Sequence, residues 1–261
     1  MSLLYLLGAV LSLPLLPWMY VAGKKVRREV PTLEVPTDTT GEVGTGAEFN
    51  LLVIGESTMA GVGADSHRLG FTGRLAYYLS ETLGQKVQYE VVARSGYTAK
   101  MVVERLLPKL ATKQPQLIVI GLGANDAFTL NTPWKWRQAV TQLIEKLQDK
   151  YQQAPIHFIN MPPIKEFPAL PPVLRWTVGN LVDIFGSELG SLVAKYERVY
   201  YHKEKIRLST WGKKYKLTAD PSTYFSDGIH PAMITYDLWA RDTSAYVMGS
   251  VPILKSSRST S

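Results

Sequence analysis

Two short runs, Leu51-Leu52-Val53-Ile54 and Leu117-Ile118-Val119-Ile120, constrain the fold of this chain more than any other feature. Each is continuously apolar and is closed by a glycine, Gly55 or Gly121. Such a run reads as a strand buried on both faces, which belongs in a parallel sheet covered by helices on each side. The surrounding pattern agrees. It predicts strands over 49–54, 87–92, 116–121, 156–159 and 199–202, alternating with helices over 71–83, 99–110, 133–151, 173–195 and 234–248. Alternation of this kind is the signature of an α/β domain with a central parallel sheet. With 261 residues and 46% apolar content the chain can bury one sizeable core.

The chain has no cysteine, which excludes disulfides, thiolate metal sites and a Cys nucleophile. From residue 2 to residue 22 it is almost wholly apolar and carries no charge, and Lys24-Lys25-Val26-Arg27-Arg28 follows at once. About 20 apolar residues are enough to cross a bilayer as a helix. Trp18 and Tyr20 stand at one end of the run, where aromatic side chains favour the membrane interface. A cleaved signal peptide would carry its basic residues before the apolar run and a small-x-small site after it, and neither is present. A buried core helix is the plainer alternative. The expectation is an uncleaved transmembrane anchor with its basic flank over 1–28. The positive-inside rule then puts the catalytic domain on the cytoplasmic side of a cytoplasmic membrane. Residues 29–48, with Pro31, Pro36 and several Gly and Thr, read as a flexible linker, 49–250 as the catalytic domain and 251–261 as a polar tail.

Chemistry gathers at the predicted strand ends. Ser57 follows the first strand in Gly55-Glu56-Ser57, Gly96 follows the second, and Asn125 follows the third in Gly123-Ala124-Asn125-Asp126. Ligands of open parallel sheets bind at those ends. Near the C-terminus lies Asp227-Gly228-Ile229-His230-Pro231. An Asp three residues before a His can hold the ring in the tautomer that takes a proton from a serine hydroxyl. A Ser after a strand can present its hydroxyl at a helix N-terminus, where N–H groups favour negative charge. Each piece has a bland reading: a helix N-cap for Ser57, a turn for Gly96, an Asx-turn for Asn125, a surface Asp-Gly turn for Asp227. Their order along one sheet edge favours the catalytic one. His67, His157 and His202 show no metal-ligand spacing, so no metal or cofactor is expected.

The set resembles the SGNH (GDSL-type) hydrolases. Gly55-Glu56-Ser57, Gly96, Gly123-Ala124-Asn125-Asp126 and Asp227–Pro231 match the family's four blocks in order, over roughly residues 49–248. The resemblance implies a flavodoxin-like three-layer α/β/α fold and cofactor-free ester hydrolysis. It implies Ser57 as nucleophile, His230 as base, Asp227 as the triad acid, and an oxyanion hole from the Ser57 N–H, the Gly96 N–H and the Asn125 amide. One departure is visible: the first block usually reads Gly-Asp-Ser, and this chain has Glu56.

The substrate is less legible. The Pro-rich stretch 161–172, with Phe128, Trp134 and Trp136, either lines an acyl pocket or packs the core. With a membrane anchor, an acyl pocket would suggest lipid or lysophospholipid esters. A sugar O-deacetylase and a headgroup-binding module are the competing readings. The formal charge is +7, and Lys203, Lys205, Arg207, Lys213, Lys214 and Lys216 form a basic stretch. No nucleic-acid motif accompanies it, so anionic headgroups are the expected partner rather than nucleic acid.

Overall fold

The computed structural model describes residues 3–217 and 220–251, so the tail expected over 251–261 lies outside the described residues from 252 on. The chain opens with α1 (Leu3–Ser12) and α2 (Leu16–Glu29), joined by one 3-10 turn at Leu13–Leu15. There follow β1 (Thr40–Val43), β2 (Glu48–Gly55), α3 (Phe71–Leu83), β3 (Lys86–Ala93), α4 (Ala99–Arg105) and β4 (Leu117–Gly121). Next come α5 (Ala124–Phe128), α6 (Pro133–Lys150), β5 (Ile156–Phe158) and α7 (Pro172–Val193). The chain closes with β6 (Val199–Tyr201), α8 (Leu208–Tyr215) and α9 (Met233–Ser250).

The two apolar runs lie side by side at the centre of the sheet, with Leu51 beside Leu117 and Val53 beside Val119 in parallel register. Val53, Ile54 and all of Leu117, Ile118, Val119 and Ile120 are fully buried, as their two-sided apolar pattern demands. The strand order is β1-β3-β2-β4-β5-β6. On one side α3 packs with α9; α4, α6 and α7 pack in a row, and α1 and α2 lie on α7. Glycine ends both central strands for a steric reason: a Cβ on Gly55 would stand 2.3 Å from the Gly121 carbonyl oxygen.

The sheet is mixed rather than all parallel. β2 through β6 are parallel, but β1 runs antiparallel to β3 at the edge. β1 comes from the stretch read as a flexible linker. Thr40-Gly41-Glu42-Val43 has no apolar alternation because an edge strand needs only the backbone partners β3 supplies, and its polar side chains suit an exposed edge. The helix expected over 99–110 ends at Arg105, because Pro108 has no N–H for a helical bond and a 3-10 turn over Leu107–Lys109 takes its place. α6 starts at the expected residue, with the Thr132 hydroxyl accepting from the Lys135 N–H and Pro133 at the first position.

Counting only the parallel strands, the order is the 2-1-3-4-5 of flavodoxin-like sheets, and it reverses between β2 and β4. Ser57 leaves β2 and Asn125 follows β4, so both stand at that switch point. The core makes one stability prediction. Ile120 is fully buried in the central strand. Ile120→Ala should lower unfolding free energy by about 2–5 kcal/mol in urea titrations with an unchanged m-value.

Candidate active site

Past Gly55 the chain offers Ser57 no helix N-terminus of its own. It folds into successive turns over 56–63, with the Ala60 N–H on the Glu56 carbonyl (2.8 Å) and the Val62 N–H on the Ser57 carbonyl (3.1 Å). Gly61 and Gly63, both at positive φ, end any helical continuation. Fully buried Met59 packs against Gly55 and Gly121. The Tyr236 hydroxyl of α9 donates to the Val62 carbonyl (2.8 Å). The turn that carries Ser57 is therefore held at both ends.

Glu56 is the residue whose role sequence reading missed. Its carboxyl is buried, and its two oxygens accept from the first N–H groups of α5: Ala124 to Oε1 (2.8 Å) and Asn125 to Oε2 (2.9 Å). Burial pushes this carboxyl up to about 8, against the two N–H donors that favour its charge. The longer Glu in place of Asp thus forms a bidentate strut between the β2 exit and the β4 exit. The one available signal was the departure itself, an acid beside Ser57 with no role in the triad.

Asp126 repeats the device one step on. Its buried carboxylate accepts from the Ala99 N–H at the start of α4 (2.8 Å) and from Asn131 (2.9 Å). Burial raises its pKa and these donors oppose the rise. The Asn125 amide donates one hydrogen to the Tyr97 carbonyl (3.2 Å), in the turn that contains Gly96. The same side chain also lies within hydrogen-bonding reach of the Glu56 carboxyl. Among the described residues, the N–H groups of Ser57 and Gly96 donate to no protein acceptor.

In the last motif the Asp227 Oδ2 meets the His230 Nδ1 at 2.7 Å. Asp227 Oδ1 accepts from the backbone N–H groups of Ile229 (2.9 Å) and His230 (2.7 Å). The Asp227 side chain is shielded from solvent, while the His230 ring is 22% exposed. Burial alone would raise the Asp227 carboxyl, but the His230 ring and these N–H donors outweigh it and hold it below the ordinary carboxylate range.

Ser57, Asn125 and His230 line one cavity of about 70 Å³, together with Glu56, Phe128, Phe167, Ile229 and Trp239. Gly96 is not on that wall; it sits at the exposed turn beyond Tyr97, at φ +81. Of the aromatic residues suspected of lining a pocket, Phe128 and Phe167 do so. Trp136 instead stacks on Phe185 in the core (4.7 Å between rings), and Trp134 is exposed. Trp239 is a wall that the sequence did not single out, fixed by its indole N–H on Asn160 (3.2 Å). The basic stretch after β6 is partly neutralised within the fold, with Lys205 on Asp183 (2.9 Å) and Lys214 on Asp242. Among the described residues no group of three or more His, Asp or Glu side chains is arranged to hold a metal ion.

Comparison with known proteins gives a consistent result. The model of the GDSL-like lipase/acylhydrolase family matches residues 53–238. Esterase TesA of Pseudomonas aeruginosa is 30% identical over 119 residues, which are 45% of this chain and 57% of that protein. The crystal structure of TesA superposes with a TM-score of 0.54 at 21% identity, covering 76% of this chain and 97% of that one. A family 3 carbohydrate esterase of Clostridium thermocellum superposes at 0.58 with 17% identity, covering 80% and 98%. At these identities the two structures speak for the fold.

The buried strut makes a pH prediction. The Glu56 carboxyl titrates near 8 in the folded chain and near 4.5 when exposed. Between those values the unfolded chain has released a proton that the folded chain keeps. The contribution of this group to stability is then complete at the acid end and declines as pH rises toward 8. Glu56→Gln cannot ionise and should flatten that decline in denaturation midpoints between about pH 5 and 8. An unaltered slope would assign the decline to other groups.

Proposed function

This chain belongs to the GDSL-like lipase/acylhydrolase family, and on that premise we propose that it is a membrane-attached serine esterase with lipid-like carboxylic esters as substrates. The observation that carries the reading is the shared cavity of Ser57, Asn125 and His230, with Asp227 fixed on the far ring nitrogen.

In the proposed mechanism His230 removes the Ser57 proton through Nε2 as the hydroxyl attacks the ester carbonyl. Asp227 holds the ring with Nδ1 protonated and stabilises the imidazolium that forms. The negative oxygen of the tetrahedral intermediate takes the Asn125 side-chain amide and the Ser57 N–H, both on the cavity wall, while Gly96 stands off that wall. His230 returns the proton to the departing alcohol, leaving an acyl-Ser57 ester. Water attacks that ester with His230 again as base, and the free acid leaves. The Glu56 strut acts through Asn125, holding its backbone so that its amide stays aimed at the oxyanion. In this mechanism the longer acid therefore preserves the site rather than disabling it.

The apolar walls Phe128, Phe167, Ile229 and Trp239 favour an apolar ester. The N-terminal helix, long and apolar enough from Tyr5 to Glu29 to enter a membrane, favours a lipid source. The basic flank behind it favours the cytoplasmic face of the membrane. One observation favours a second reading, O-deacetylation of a carbohydrate. The cavity is small, at about 70 Å³, which suits a short acyl group.

The test is hydrolysis of p-nitrophenyl esters from acetyl to palmitoyl by the full chain in detergent. Ser57→Ala should abolish turnover, and Asn125→Ala should lower kcat by about 10²–10³-fold. A maximum at medium or long chains supports the lipid reading and a maximum at acetyl the second. Turnover that survives Ser57→Ala overturns the mechanism.

A further inference from the structure

A helix that is apolar on every side needs cover on every side. The N-terminal helix has cover on one. Tyr5, Ser12, Leu16 and Met19 fall on a single face, and with Trp176 and Leu181 of α7 they line a groove of about 200 Å³. Met19 is buried there, and Ala22 is buried one turn further along the helix. The opposite face is bare: Leu7, Val10, Leu11, Trp18 and Val21 are each more than half exposed. Water is a poor neighbour for that surface, and a patch of this kind marks a membrane or protein contact.

This packing and a transbilayer path exclude each other. A spanning helix needs lipid or other membrane-embedded protein around about 20 residues, some 30 Å of length. The residues that face α7 run from Tyr5 to Met19, most of the apolar length. Were this packed helix to span, it would draw α7 into the hydrocarbon, and with it Thr177 and Asn180 of the same groove and Asp183 with its lysine partners. Polar groups of that kind are strongly disfavoured there.

We propose that the N-terminal helix is an in-plane anchor built into the catalytic domain, and that the face it forms with α7 and the loop after α5 docks flat on an anionic phospholipid bilayer. One side of the helix lies on α7 and the other in the outer part of one leaflet. Three features on that face fit a bilayer rather than another protein. Lys24, Lys25, Arg27 and Arg28 stand at the end of the helix, where anionic headgroups would meet them, and among the described residues only Glu29 pairs with them. Trp176 and Leu130, on the groove beside the helix, add apolar surface from the catalytic domain at 48% and 46% exposure. Phe128, two residues before Leu130, is itself partly exposed and forms part of the catalytic cavity wall. Docking on this face therefore holds the mouth of the cavity at the lipid surface. The inference concerns how the protein meets the membrane and stands whether or not the ester chemistry holds.

The absence of cysteine makes the test clean. Single variants Ser2→Cys and Thr37→Cys of the full chain are bound to preformed phosphatidylcholine/phosphatidylglycerol vesicles, recovered with them by flotation, and treated with a membrane-impermeant maleimide. An in-plane helix leaves both ends outside, so both variants label equally on intact vesicles. Labelling of Ser2→Cys only after permeabilisation, with Thr37→Cys labelled at once, means a spanning helix and overturns the proposal. A chain that stays off the vesicles as a soluble dimer assigns the bare face to a second copy and also overturns it. Replacing Lys24, Lys25, Arg27 and Arg28 by Gln should weaken vesicle partition by about fivefold per residue in low salt. Partition that does not change would remove the anionic lipid from the proposal.

Discussion

The bidentate contact of Glu56 with the N–H groups of Ala124 and Asn125 is the interaction on which the site depends. β2 and β4 are held in register along their length by sheet hydrogen bonds, the last of which runs from the Glu56 N–H to the Gly121 carbonyl (3.1 Å). Beyond that point nothing in a parallel sheet keeps two departing loops together. The carboxyl of Glu56 does so, bonding each of the first two donors of α5 with a separate oxygen. Helix N-termini have such donors to spare. Asp126 reaches on to the Ala99 N–H and Asn125 to the Tyr97 carbonyl, so the exits of β2, β4 and β3 are laced in turn. The switch point of the sheet opens the crevice, and two buried carboxyls set its width.

This arrangement opposes desolvation to hydrogen bonding. Burying an acid disfavours its charge, and the raised pKa of Glu56 records that opposition. Asp227 meets the same opposition with the other result. It gathers two backbone donors and the His230 ring, and its carboxyl settles below the ordinary range. The two acids differ in what their partners bring. Glu56 has two neutral donors and Asp126 nearby, whereas Asp227 faces a ring that can itself take up positive charge. One carboxyl is a structural strut and the other the proposed counter-ion of the His230 ring, a division set by neighbours and not by residue type.

The central strands and most helices were legible because their apolar periodicity is strong. Leu117–Ile120, short, β-branched and closed by a glycine, reads as a buried strand, and α3 and α6 keep the expected bounds at Leu83 and Pro133. β1 was not legible because an edge strand needs no apolar side chains, and with it went the mixed character of the sheet. α8 was hidden in a stretch whose lysines drew attention from the buried Leu208 and Trp211 beneath them. At the candidate site, Ser57, Asn125 and His230 stood out because each ends a recognisable pattern at one edge of the sheet. The Glu56 strut did not, since its partners lie 68 and 69 residues away and are backbone groups, which leave no trace in residue type. Trp136 was indistinguishable in sequence from a pocket aromatic, and only its stacking on Phe185 puts it in the core.

The N-terminal helix shows why composition alone does not decide how a segment meets a membrane. Length and apolarity admit a spanning helix and an in-plane one equally, and the distinction lies in what already covers each face. α7 offers a long, mostly apolar partner, with Leu181, Ile184 and Trp176 along one side. A helix lying against it leaves one apolar strip outward, of a width that a single leaflet can cover. α7 also touches α5, the helix capped by Glu56. The surface that would rest on lipid and the groups proposed to stabilise the oxyanion are thus separated by one packed helix. Tilt or depth at the membrane would be transmitted to the cavity mouth through rigid neighbours, without any moving lid.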